Sequence, residues 1–190
     1  QVNGANLIVQ SLALARAGDD RLGMYRALTN LGWTKLCTAE RDAAASYFHE
    51  AYRIAMDLGH TKGLAVTLAN LSWIAIYQGD LRAAAAQATE SLHLCHLLAE
   101  REVMAECLEI LAIVAVKQGD HEHAARLLGA AQGLWDALHV VRPQSDHAHV
   151  ARHQVLDTLS RTLPVAVFND AWQQGGEMNL DELVERAVQP

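Results

Sequence analysis

Apolar positions along this chain recur at two intervals. At short range they fall three to four residues apart, as between Gly23 and Cys37, where Leu28, Leu31 and Leu36 lie on one side of a helix. At long range the whole pattern returns after about 40 residues, a period typical of repeat architectures. Asn30-Leu31 is followed by Asn70-Leu71 and Ile110-Leu111, while Ala44-Ala45, Ala84-Ala85 and Ala124-Ala125 keep the same step, as do Leu58, Leu98 and Leu138. Residues 23–62 and 63–102 are identical at 10 of 40 positions, and residues 63–102 and 103–142 at 11 of 40. Self-similarity at a fixed period predicts a stacked array in which no unit buries its apolar face alone.

Each unit reads as two helices. In the first unit these run from about Gly23 to Cys37 and from about Asp42 to Leu58. The break between them is Thr38-Ala39-Glu40, which becomes Gln78-Gly79-Asp80 and Gln118-Gly119-Asp120 in the later units. Gly there supplies a left-handed C-cap, and the acidic residue an N-cap for the second helix. Ala44, Ala84 and Ala124 are small where paired helices must approach. Residues 1–22 align with the second half of a unit, Ser11 to Ala15 falling on Ala51 to Ala55, so they read as the end of an earlier repeat cut from a longer protein.

Beyond Leu138 the periodicity stops. Arg142-Pro143-Gln144-Ser145 reads as a loop, followed by a helix from about Asp146 to Thr162. Pro164 starts another helix that ends near Gly175-Gly176, and Asn179 caps a last short one. Residues 143–190 are thus expected to close the array, continuous with repeats over 1–142. The fold class expected is all-α, a right-handed solenoid of helical hairpins with a C-terminal helical cap.

Composition narrows the partners. The chain is 51% apolar and rich in Ala, Leu, Arg, Glu and Gln, all strong helix formers. A formal charge of −7 argues against direct nucleic-acid contact, which needs a basic face. The longest apolar run, Ile110 to Val116, is seven residues, far short of the roughly 20 that cross a bilayer. No signal peptide is read. Cys37, Cys95 and Cys107 have neither metal nor redox spacing and suit a reducing, cytoplasmic setting.

Leu31-Gly32, Leu71-Ser72 and Leu111-Ala112, with Ala44, Phe48 and Ala51 in the second helix and Ala124, Leu128 and Ala131 after it, resemble the tetratricopeptide repeat. The step here is longer than that family's usual unit of about 34 residues, and its unit-ending proline is absent. Ala124 to Ala131, then Phe168-Asn169-Asp170-Ala171-Trp172 and Leu180 to Val184, are similar to the closing stretch of LuxR-type, ATP-dependent transcriptional regulators of MalT-like layout. The resemblance implies a sensor or protein-interaction module of a bacterial signal-transduction protein. ATP hydrolysis and DNA contact would belong to flanking domains, since neither a phosphate-binding loop nor a DNA-reading helix is visible.

In tetratricopeptide proteins the first helices line a concave surface. Carried onto this chain, the inner positions are Arg26, Asn30, Trp33 and Cys37, then Val66, Asn70, Trp73 and Tyr77, then Glu106, Ile110, Ile113 and Lys117. Asn30 and Asn70 stand where peptide-binding members grip ligand backbone, which an amide can do because it both donates and accepts. Trp33 and Trp73 follow one turn later and could form an aromatic shelf for a partner. The competing reading packs each Trp on a neighbouring helix and leaves Arg26, Glu106 and Lys117 as solvated charges. A protein, peptide or small-molecule effector in this groove is the expected partner, and self-association is left open.

The ten histidines raise a metal hypothesis. His149 and His153 form an i, i+4 pair with His147 nearby, but His-Glu-x-x-His is absent and no third ligand is evident. Surface histidines are the expectation, with no cofactor and no catalysis. Three functions remain in play: the regulator module, a general scaffold of a signalling ATPase without DNA binding, and a metal-dependent enzyme.

Overall fold

The computed structural model describes residues 4–139 and 147–187, so the expected Arg142–Ser145 loop lies outside the described residues. No strand occurs among the described residues. The helices are α1 (Gly4–Ala17), α2 (Arg21–Cys37), α3 (Arg41–Asp57), α4 (Thr61–Gln78), α5 (Leu81–Leu98), α6 (Arg101–Gln118) and α7 (His121–Leu138), then α8 (His147–Thr162), α9 (Val165–Glu177) and α10 (Leu180–Ala187). None of them is long and apolar enough to cross a membrane, among the described residues.

Through α7 each helix packs on the next, α2 with α3, α4 with α5 and α6 with α7 forming hairpins in a repeat-like row. The reversals share one backbone device. Asp19, Ala39, Gly59, Gly79, Ala99, Gly119 and His139, evenly spaced along the chain, all have φ between 51° and 86°. A single left-handed residue turns the chain and lets the following N–H groups bond back to the helix end, as Asp80 N does to Ala75 O at 3.0 Å. The caps expected of Asp80 and Asp120 are made, with Asp80 Oδ1 accepting from Ala83 N at 2.9 Å and Asp120 Oδ1 from His123 N at 3.1 Å. Glu40 stands at the same position and makes no such bond, since its longer side chain is held by Lys35 at 2.7 Å.

Packing inside the hairpins follows the small-residue positions. Ala44, Ala84 and Ala124 are completely buried. Gly32 is small because the Phe48 ring lies against its Cα, where a Cβ would overlap it. α4 and α6 also touch each other directly, so the first helices share one face of the row. From Met104 to Ala115, α6 is buried at every position except Glu106. That explains the run Ile110–Val116: a helix enclosed by neighbours is apolar nearly all round.

The tail leaves the row. α9, not α8, takes the place beside α7, and the two approach backbone to backbone. A Cβ at Gly175 would overlap the Arg126 carbonyl oxygen, and one at Gly129 the Trp172 carbonyl oxygen. α8 instead lies across α6, and α10 docks on α5, burying Leu183 and Val184 beside a His96 Nε2–Asp181 Oδ1 contact of 2.9 Å. Asn179 caps α10 as expected, its Oδ1 accepting from Glu182 N at 2.9 Å.

The close approach of α9 and α7 can be tested with two glycines. Gly175→Ala should lower stability by roughly 1–3 kcal/mol through overpacking. Gly133→Ala, whose Cβ would meet nothing closer than Gly176 O at 3.6 Å, should be neutral or stabilising. Equal urea midpoints for the two variants would contradict the close approach. Ala39→Gly and Ala99→Gly should each stabilise by roughly 0.5–1 kcal/mol, because only glycine takes the left-handed region without strain; lowered thermal midpoints for both would count against that assignment.

Candidate binding groove

The face shared by α4 and α6 does not lie open: α8 crosses it, and between them runs a groove of about 650 Å³. On the repeat side it is lined by Trp73, Ile76 and Tyr77 from α4 and by Ile113, Val116 and Lys117 from α6, with Arg41 from the start of α3. These residues meet because α4 and α6 run in the same direction, one repeat apart in sequence. Opposite them, one side of α8 presents Val150, Ala151, Gln154, Val155 and Thr158. That spacing of one, three, one and three residues follows the helical period, so a single face of α8 makes the wall.

Tyr77 lies over Trp73, ring centroids 6.3 Å apart and planes 30° from parallel. The Arg41 guanidinium sits on the Tyr77 ring, 4.5 Å from its centroid, a cation–π contact at the groove margin. Burial pushes the Tyr77 phenol above its ordinary range, with the Arg41 charge pulling the other way. Lys117 is exposed one turn beyond Ile113.

Four of the twelve inner positions named from sequence therefore line one groove: Trp73, Tyr77, Ile113 and Lys117. The other eight are not among its lining residues, Cys37 being exposed, Val66 half-buried and Ile110 buried. Arg26 and Asn30 are exposed on α2, and Glu106 is half-buried on α6. Trp33 is half-buried, edge-on to Phe48 at 6.3 Å. Asn70 is 2% exposed, its Nδ2 without a hydrogen bond among the described residues. The two asparagines are equivalent in sequence and opposite in surroundings: among the described residues α4 lies between two other hairpins and packs directly on α6. Trp33 and Trp73 separate in the same way: Trp73, 2% exposed, is packed and still forms part of the groove floor.

Sequence reasoning missed the residues that hold α8 in place. Glu109, 1% exposed on α6, accepts from Arg152 Nη1 of α8 at 2.8 Å and from Trp135 Nε1 of α7 at 3.2 Å. Arg152 Nη2 donates to Gln132 Oε1 at 2.5 Å, and the guanidinium lies 5.8 Å from the Trp172 ring centroid of α9. One buried ion pair thus joins four helices. The available signal was Glu109 itself, a carboxylate set between Leu108 and Ile110 in an otherwise apolar stretch, which calls for a buried partner.

The remaining candidates carry less chemistry. His149 and His153 bring their Nε2 atoms to 2.9 Å on the exposed side of α8, while the His147 side chain lies outside the described residues. No group of three or more His, Cys, Asp or Glu able to hold a metal occurs among the described residues. Burial pushes the Cys95 thiol up to about 11 and the Cys107 thiol higher still. Cys107 Sγ donates to Ser91 Oγ at 3.2 Å, and Ser91 in turn to Ala65 O at 2.7 Å, so the Ser91 hydroxyl bonds across the α4–α5 contact. Thiols held neutral in this way are packing groups, since the nucleophile is the thiolate.

Comparison with protein-family models, with curated proteins and with solved structures finds no match to this chain.

The ion pair generates a sharp expectation. Arg152→Ala or Glu109→Ala alone should cost roughly 3–5 kcal/mol, because each leaves a charge buried without its partner. Glu109→Met combined with Arg152→Met should recover most of that loss, since neither charge then remains. Urea unfolding of the singles and the pair reads this as a coupling energy; additive losses would show that the two residues act independently.

Proposed function

We propose that this chain is the sensor or interaction module of a bacterial LuxR-type, ATP-dependent transcriptional regulator, its hairpins being tetratricopeptide-like, and that it acts by binding rather than by catalysis. The repeat positions and the tail motifs support the family reading. The observation that carries the functional part is the groove, where an aromatic and aliphatic floor from α4 and α6 meets a wall from α8.

Its construction suggests the mechanism. A ligand seated there touches both the repeats and the tail, so it binds the arrangement with α8 docked better than any arrangement with α8 displaced. That differential affinity is what shifts a population of states, and tight binding without it would shift nothing. The net charge of −7 agrees with DNA contact lying elsewhere in such a protein.

The test uses the parent regulator. Trp73→Ala should abolish effector-dependent transcription, whereas Trp33→Ala, outside the groove, should leave it in place. Trp73→Phe is included because truncating a buried Trp costs roughly 3–5 kcal/mol on its own. Circular dichroism checks that each variant is folded. Regulation unchanged in folded Trp73 variants would overturn the groove reading, and a parent sequence without a helix-turn-helix would replace the regulator by a scaffold of another signalling protein.

A further inference from the structure

The groove has a polarity that its role as a binding site does not require. Among the described residues its charged lining is Arg41 and Lys117, with no Asp or Glu, in a chain that carries 22 acidic residues and a charge of −7. Neither cation is in an ion pair among the described residues; Arg41 rests on the Tyr77 ring instead. Their placement is also one-sided. Arg41 begins α3, Tyr77 is at the end of α4 and Lys117 at the end of α6, so all three lie at the turn end of the hairpins. Trp73 and Ile113 lie one turn further in along the same two helices, and Val155 of α8 lines the same groove.

We propose that the groove binds a small organic monoanion with an apolar body, a medium-chain or aromatic carboxylate. The carboxylate sits at the turn end between Arg41 and Lys117, and the apolar body runs inward over Trp73 and Ile113. A space of about 650 Å³ lies in the range of small-molecule sites, and an apolar lining with a few polar groups converging at one end fixes orientation in such sites. The Tyr77 phenol lines the same end and, as a phenol that is neutral at pH 7, adds no negative charge there. This inference rests on reading the chain as a ligand-binding module and adds the class of ligand.

Decanoate, decanol and decylammonium, titrated below their micelle concentrations into the protein and followed by Trp fluorescence and calorimetry, separate the terms. The expected result is one saturable decanoate site, weaker binding of decanol and none of decylammonium. Arg41→Gln with Lys117→Gln, both at surface positions that leave the core intact, should weaken decanoate about tenfold and leave decanol unchanged. Val150→Glu, which sets a carboxylate on a wall residue that is 49% exposed, should abolish decanoate binding without unfolding the protein. Equal decanoate and decanol affinities, unmoved by the charge variants, would overturn the anion preference while leaving an apolar ligand site in place. Absence of saturable binding by all three probes would overturn the small-molecule assignment, and the transcription assay on the Trp variants then judges the module reading separately.

Discussion

Every reversal of the chain from α1 to α7 is made by one residue in the left-handed region, and these residues are evenly spaced from Asp19 to Gly119. This constraint sets the rest of the architecture. Equal spacing gives helices of nearly equal length, so each lies fully alongside its predecessor and the hairpins stack in register. Because two reversals restore the original direction, α2, α4 and α6 run alike and bring equivalent side chains to one face. The sequence period is therefore two backbone steps: the reversal recurs at every step, while the environments of first and second helices alternate.

Stacking then decides which helix is buried. α6 has α5 and α7 beside it, α4 next to it on the shared face, and α8 across it. Its burial leaves almost no solvent side, and the carboxylate of Glu109 must find a cation there. Arg152 supplies that cation from α8, with Trp135 and Gln132 of α7 completing the polar contacts. Such a pair contributes little net stability against a hydrophobic alternative, but losing either partner strands the other. Its effect here is positional: it holds α8 over α4 and α6, and the space left between them is the groove.

The tail shows how close approach can redirect a chain. α9 meets α7 through Gly129 and Gly175, whose bare Cα atoms let the two backbones touch. This docking places α9 beside α7, where a continuing row would set its next helix, so α8 is displaced to the face of the first helices. Glycine in a helix interior costs conformational entropy, and its gain here is contact that no larger residue permits.

The helices, their turns and the repeat were legible in the sequence, because hydrophobic spacing and capping chemistry are local properties that the repeat displays three times. Glu109 was legible only as an anomaly, an acid among apolar neighbours. What the sequence could not decide was the fate of equivalent residues. Asn30 and Asn70, or Trp33 and Trp73, occupy the same position in adjacent units, yet one of each pair is packed away and the other is not. Burial depends on how many neighbours a unit has in the row and on whether α8 passes over it, and both are facts of tertiary packing. The groove follows the same division: its apolar floor was written in the repeat, but Arg41 and Lys117 meet at one end only through the stacking of successive hairpins, and the wall that encloses it arrives only when the tail folds back across α6.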